Sequence, residues 1–400
     1  MDCKRFFPTL HKDSLTELMG LFLKLGTIAF GGPAAHIAMM EEEVVHRRKW
    51  MTRNDFLDLV GATNLIPGPN STEMAIHIGY IRGGIPGLIV SGLSFILPAV
   101  IITGILAWTY VSFGSMPQAA PLLFGIKPAV ISVIVVAVLR LGKTAAKDVP
   151  LIIIGIAVAS ASLLGINEVL VLLLGGGAGI AIYMIKNSRR KSISGCVPLL
   201  LGQLCLFKGS YAKAAVAASS AGVVGISSWK LGLFFLKVGT VLYGSGYVLV
   251  AFIEGGLVKE YGWLTQQQLL DAIAIGQFTP GPILSTATFV GYLVSGVSGA
   301  VISTIAIFLP SFLFVLMLNP VIPRLRSSKM MSAFLDAVNI SAIGLMAAVV
   351  IRLSGAVITD WRAILIAIAA MTAGLTFKVN AAWLIMGGAV AGFVLQSICK

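Results

Sequence analysis

Two Pro-Gly-Pro segments interrupt otherwise apolar stretches of this 400-residue sequence. Pro67-Gly68-Pro69 lies in "ATNLIPGPNSTEM", and Pro280-Gly281-Pro282 lies in "AIGQFTPGPILSTAT". Proline has no backbone N–H and glycine adopts backbone angles that other residues avoid, so each segment predicts a break between helices. Pro69 and Pro282 are well placed to open new helices. The first turn of a helix carries free N–H groups and a positive dipole end, which suits a bound tetrahedral oxyanion. The alternative is a pair of tight turns that serve packing alone.

A further break is predicted at "FGGPAAH", residues 30–36, where Pro33 opens a helix after Gly31 and Gly32. The corresponding "YGSGY" at 243–247 lacks the proline, so the two half-sites are expected to be unequal. The substrate-binding candidates are therefore the residues at these breaks together with two lysines: Lys24, Gly31, Gly32, Pro33, Gly68, Pro69, Asn70, Ser71, Thr72, Lys237, Gly244, Gly281, Pro282, Ser285 and Thr286.

Charged side chains inside apolar runs are costly and mark candidate functional residues. Lys24 in "FLKLG" and Lys237 in "FLKVG" occupy the same place in two related segments, and either supply charge to an anion or snorkel to the membrane surface. The candidates for proton coupling are the paired acids Glu41 and Glu254 and two histidines without a counterpart, His36 and His77. A solvated helix end is the competing interpretation for Glu41.

Composition places the chain in a membrane. It is 57% hydrophobic and 11% charged, whereas soluble proteins have about 25% charged residues. The net charge of +13 lies mainly in short loops between apolar runs, which indicates topology determination and no nucleic-acid partner. The four cysteines form no CxxC pair, and no metal site, nucleophile triad or phosphate loop is recognisable.

The two halves of the chain are related. "FLKLGTIAFGG" at 22–32 matches "FLKVGTVLYGS" at 235–245, and "WMTRNDFLD" at 50–58 matches "WLTQQQLLD" at 263–271, each with a shift of 213 residues. The Pro-Gly-Pro segments follow the same shift. The sequence predicts a first repeat at 14–190, a linker at 191–227 that could add a crossing, and a second repeat at 228–400.

The charge pattern predicts that the repeats are inverted, because Lys and Arg prefer cytoplasmic loops. Residues 114–121 carry no Lys or Arg, while other loops of the first half are basic. The equivalent loop of the second half holds Arg324, Arg326 and Lys329, and the bias has changed sides. The predicted fold is thus an all-α polytopic membrane protein of two homologous inverted repeats with broken, re-entrant half-helices.

The segments "FLKLGTIAFGGPAAHIAMMEEEVVHRRKWMT", "IPGPNST" and "GQFTPGPILSTATFVGYL" resemble the chromate ion transporter family in its long, two-repeat form. The resemblance implies a secondary carrier without a cofactor, such as an antiporter, for chromate or a sulfate-like oxyanion. It also implies a bacterial or archaeal inner-membrane location and export that confers chromate resistance. A homodimer is left open, since short one-repeat forms of the family work in pairs.

Two other functions remain to be distinguished from a carrier. A selective anion channel would use the same site without coupling. A membrane enzyme acting on a lipid phosphate would need paired acids or a nucleophile cluster, and none is found at a convincing spacing.

Overall fold

A computed structural model describes residues 12–30, 32–113, 120–188, 228–244, 246–318, 328–377 and 379–398. These residues are overwhelmingly helical, and no strand is found among them. Five of their helices are long and apolar enough to cross a membrane. The predicted all-α membrane fold is confirmed. The linker prediction for 191–227 and the candidate Gly31 lie outside the described residues.

The described residues of the first repeat form seven α-helices and one π-helical turn. They are α1 (Lys12–Ile28), α2 (Pro33–Glu41), the π turn (Glu42–Arg47), α3 (Arg53–Thr63), α4 (Asn70–Phe113), α5 (Ala120–Ala145), α6 (Val149–Leu163) and α7 (Glu168–Ser188).

The second repeat follows the same order, with short 3₁₀ turns where the first repeat begins α-helices directly. Its elements are α8 (Ser228–Val241), a 3₁₀ turn (Gly246–Val248), α9 (Leu249–Ile253), a π turn (Glu254–Glu260), α10 (Gln266–Phe278), a 3₁₀ turn (Ile283–Ser285), α11 (Thr286–Leu318), α12 (Lys329–Val357), α13 (Trp361–Thr376) and α14 (Ala381–Ile398). Each helix of the first repeat therefore has a counterpart seven helices later.

The repeats agree in backbone detail. The long helix α4 is kinked at Gly83 and Gly84, where φ/ψ are −138°/18° and 60°/−147°. The equivalent α11 is kinked at Ser295 and Gly296, with −145°/26° and 62°/−148°. Two kinks with the same dihedral angles at equivalent positions support the internal duplication.

The two repeats interleave. Helix α5 packs against α13 and α14 of the second repeat, and its counterpart α12 packs against α6 and α7 of the first. Helices α5 and α12 also contact one another and run in opposite directions, because Gly142 of α5 lies beside Ile343 of α12, while Lys147, two residues past the end of α5, bonds to Asp336, further back on α12. Reciprocal contacts of this kind are those of a pseudo-two-fold relation.

The short helices between α1 and α4, and between α8 and α11, form two hairpins. We define the first hairpin as residues 33–63 and the second hairpin as residues 246–278. The second hairpin packs against α5, α7, α12 and α14, and residues 248–257 are all buried. The first hairpin packs mainly on α1 and α4 of its own repeat and is largely exposed.

Candidate functional site

The two Pro-Gly-Pro breaks are buried, and each forms a backbone hydrogen bond to the other repeat. The Gly68 N–H donates to the carbonyl of Leu242, which follows α8, at 2.7 Å. The Gly281 N–H donates to the carbonyl of Ala29, which follows α1, at 2.9 Å. Ala29 and Leu242 are equivalent positions, so the two bonds are a reciprocal pair. Each repeat therefore accepts a backbone hydrogen bond from the Pro-Gly-Pro break of the other.

The helices that begin at these breaks leave backbone donors free. In α4 the N–H groups of Thr72 and Glu73 bond to the Pro69 carbonyl, and in the 3₁₀ turn the Ser285 N–H bonds to the Pro282 carbonyl. The N–H groups of the preceding positions, 70–71 and 283–284, come too early in their helices to have an intrahelical partner. Free donors with a positive dipole end are chemically suited to an anion.

Glycine is required at these breaks for conformational reasons. Gly68 has φ of +147° and Gly281 has φ of +86°. Gly32 and Gly244, at the ends of the loops after α1 and α8, have φ of +82° and +89°. Residues with a Cβ avoid these angles, so the four glycines fix the directions in which the helix starts point.

The starts of α2 and of the second hairpin also lie close to the second Pro-Gly-Pro break. The Ile283 side chain lies where an added Cβ would meet it from two sides, at 3.9 Å for one on Gly32, which precedes α2, and at 3.3 Å for one on Gly246, in the first turn of the second hairpin. A separate groove of about 920 Å³ between α4 and α11 is lined almost entirely by hydrophobic side chains, which do not suit an oxyanion.

Some of the polar residues predicted at the breaks already form hydrogen bonds within the protein. Asn70 donates to Asn64 at 2.6 Å, and the Thr286 hydroxyl donates to the Ile283 carbonyl at 2.8 Å. Thr103 of α4 reaches across to Ser285 at 3.3 Å. Ser71 and Thr72 are buried, and the Thr72 hydroxyl has no hydrogen-bond partner among the described residues.

The two candidate lysines are in different electrostatic situations. The Lys24 ammonium forms an ion pair with Glu43 at 2.7 Å. That hydrogen bond, together with the charges of Arg47 and Arg48, holds the pKa of Glu43 below its usual range, so the pair stays ionised. Gly256 occupies the place of Glu43 in the second repeat, and half-buried Lys237 has no ion pair within the described part of the chain.

The proton-coupling candidates are also separated. Glu254 is fully buried and bonds to Arg352 of α12 at 2.6 Å, with Lys259 at 3.0 Å. Its equivalent Glu41 pairs with the exposed Arg53.

The two histidines among the proton-coupling candidates are both buried. His36 lies 3.0 Å from the Ala29 carbonyl, the same group that accepts from Gly281. His77 is buried in α4, and neither ring nitrogen has a hydrogen-bond partner among the described residues.

Sequence reasoning missed one residue of this region. Glu73, in the first turns of α4, is fully buried, and its carboxylate lies where a Cβ on Gly68 would be. An acid within "PNSTEMAIHIGY" is a charge inside an apolar helix, the same signal that marks Lys24 and Lys237. Residues 283–292 of the second repeat contain no acid, so a comparison of charges paired between the halves does not indicate Glu73.

Comparison with known proteins agrees with this architecture. The chromate transporter family matches residues 16–180 and 229–393, which correspond to the two repeats. The chain is 32% identical to the chromate transport protein of Cupriavidus metallidurans over 95% of this chain and 93% of that protein. It is 31% identical to the probable chromate transport protein of Synechococcus elongatus, over 96% of each, and 31% identical to the chromate transport protein of Pseudomonas aeruginosa, over 96% and 92%.

No solved structure is significantly similar to the chain. The family match spans both repeats and includes both Pro-Gly-Pro breaks, and the relatives align along almost the whole sequence. This multi-pass membrane protein therefore belongs to the chromate transporter family.

Proposed function

We propose that the protein is a secondary transporter that moves chromate, or a similar tetrahedral oxyanion such as sulfate, across the plasma membrane. The anion binds at the helix starts that follow the two breaks, the first turn of α4 and the 3₁₀ turn before α11. The observation that carries this proposal is the reciprocal pair of bonds from Gly68 to Leu242 and from Gly281 to Ala29. It ties each break to the segment after the first helix of the other repeat, so that both helix starts, each with early N–H groups, begin at a contact between the repeats.

The two repeats are inserted in the membrane with opposite orientations. Support comes from α5 and α12, equivalent helices that pack side by side in opposite directions. The positive charge that changes sides between the repeats gives independent support. In transporters with inverted repeats, substrate is exposed to alternate sides when the repeats exchange conformations around a central site.

The hairpins supply the elements that exchange. The second hairpin is packed into the fold, and Glu254 bonds to Arg352. The equivalent pair in the first repeat is Glu41 and Arg140, which are apart here, because Arg140 bonds instead to the Gly374 carbonyl. In the opposite-facing state the first hairpin docks with Glu41 on Arg140, and the second hairpin is released.

Export of chromate from the cytoplasm across the inner membrane is the direction we assign, and resistance to chromate is its consequence. Support for chromate as the substrate comes from relatives named as chromate transport proteins that are similar along nearly the full chain. Sulfate has the charge and shape of chromate and competes for the same donors. We also propose that the protein forms a homodimer. The mass of the purified protein in detergent tests this.

Transport in proteoliposomes tests the function. Labelled chromate and sulfate should both enter, and unlabelled anion inside should accelerate entry of label, since counterflow is a property of alternating access. Saturating conductance without counterflow would instead indicate a channel. Release of phosphate from lipid without anion movement would indicate an enzyme. Liposomes lacking the protein provide the blank.

A further inference from the structure

The start of α4 holds a carboxyl group without a partner. Glu73 has no solvent exposure, and neither of its carboxyl oxygens forms a hydrogen bond among the described residues. A Cβ added to Gly68 would collide with its Oε1 and would lie 2.5 Å from the hydroxyl of Ser311, on α11. The carboxyl group therefore occupies the space directly beside the break, next to the free N–H groups of α4.

No cation of the described residues balances Glu73. On its own helix the nearest titratable group is His77, one turn further along, with both ring nitrogens unpartnered. From α11 the facing polar group is the Ser311 hydroxyl, also unpartnered, and from the segment after α8 it is the Tyr243 phenol. None of these neighbours carries a positive charge when His77 is neutral.

This environment makes the ionised and protonated forms of the Glu73 carboxyl group differ in free energy. An ionised carboxylate buried without a partner costs several kcal/mol, whereas the protonated acid is neutral and has a hydrogen to donate. Ser311 and Thr72 both offer a hydroxyl oxygen that lacks a partner. A divalent anion bound at the same helix start adds repulsion that only the ionised form experiences.

We propose that Glu73 is the proton site of the transporter, and that, at a pH high enough to ionise it in the empty protein, it takes up one proton when the anion binds. This inference rests on the proposed function. The step balances as an empty site with ionised Glu73, one proton and one dianion giving an occupied site with neutral Glu73. No covalent bond to the anion forms or breaks.

The equivalent helix start of the second repeat has no acid. Residues 283–292 contain neither Asp nor Glu, and the Thr286 hydroxyl in this segment is already bonded to the Ile283 carbonyl. Glu254, the other fully buried glutamate of the described residues, is neutralised by Arg352 and Lys259. Glu73 therefore accounts for one proton for each anion, the two moving together through the site. A proton antiport would require the opposite linkage, with anion and proton excluding each other.

Calorimetry of the purified full-length protein tests the proton uptake directly. Chromate is titrated at alkaline pH, where it is fully a dianion, and sulfate is the second probe because it does not titrate near neutral pH. Binding in buffers of different ionisation enthalpy should report uptake of about one proton per anion. Affinity should fall about tenfold per pH unit once Glu73 is ionised in the empty protein.

Glu73→Gln assigns the proton to this residue. The variant should bind both anions without proton uptake and with an affinity independent of pH, and it should keep counterflow but lose uptake driven by a pH gradient. Glu17→Gln is the matched control, because Glu17 is an exposed acid of α1 only loosely paired with Arg82, at 3.8 Å. It should keep the parent's pH dependence.

The outcomes are distinct. A parent protein that neither binds nor moves chromate or sulfate contradicts the proposed function. Binding by the parent without proton uptake overturns the inference and leaves the proposed function intact. Proton uptake that persists in Glu73→Gln assigns the proton to another group and also overturns it. The parent's own proton uptake needs no variant, so the test holds however well Glu73→Gln folds.

Discussion

The first and second hairpins have the same sequence plan but different surroundings. Both contain a short helix, a π turn beginning at or just after a glutamate, and an amphipathic helix capped by threonine. In the second hairpin Glu254 is fully buried against Arg352. In the first, Glu41 lies a quarter exposed beside Arg53. The difference teaches that one sequence plan supports a docked and an undocked arrangement, and that the structure contains one of each.

The largest expected effect concerns orientation. Cysteines placed singly at Ser115 and Ser327, in equivalent loops, should react with a membrane-impermeant thiol reagent from opposite sides of the membrane. The four native cysteines are first replaced by serine, and labelling is compared in intact cells and inverted vesicles. Labelling of both positions from one side would remove the inverted-repeat basis of the comparison.

The next effect concerns the breaks. Gly68→Val and Gly281→Val should each abolish oxyanion binding, because both positions have positive φ and a Cβ meets close neighbours, Glu73 and Ser311 at one and Ala99 at the other. Affinity for chromate is measured by scintillation proximity on purified protein. Gly355→Val is the matched control, since a Cβ there meets nothing within 4 Å. Parental affinity in both break variants would mean that the breaks only serve packing.

Loss of an arginine should destabilise the protein more at the docked second hairpin than at the undocked first hairpin. Arg352→Gln leaves Glu254 buried with only Lys259 and should cost about 3 kcal/mol. Arg140→Gln loses a single bond to the Gly374 carbonyl and should cost about 1 kcal/mol. Thermal unfolding in detergent compares the apparent Tm of the two. Equal losses would indicate that both hairpins spend similar time docked.

The smallest effect concerns the lysines. Lys237→Gln removes a cation without an ion-pair partner and should weaken chromate affinity about fivefold, equivalent to about 1 kcal/mol. Lys24→Gln removes a cation already neutralised by Glu43 and should weaken it less. Uptake rates and affinity are measured in proteoliposomes. A larger loss from Lys24→Gln would show that the ion pair opens during transport.

Sequence reasoning captured what repeats along the chain and missed what does not. The duplication and the helix breaks were predictable, because proline, glycine and hydrophobic length act locally. The pairing of Lys24 with Glu43 depends on the tertiary approach of α1 to a π turn, which no spacing rule predicts. Glu73 was not predicted because residues 283–292 of the second repeat contain no acid, and comparison of the halves favours residues present in both.

The carboxyl group of Glu73, beside the first Pro-Gly-Pro break, also has an electrical consequence. One proton bound to Glu73 offsets half the charge of a dianion, so each transport cycle moves one net negative charge. A membrane potential of 100 mV contributes about 2.3 kcal/mol to moving one such charge, and a negative interior drives it outward. Voltage alone therefore supplies work for export, while an acidic exterior opposes it. With Glu73→Gln, two charges would move per anion, and the current carried per anion would double.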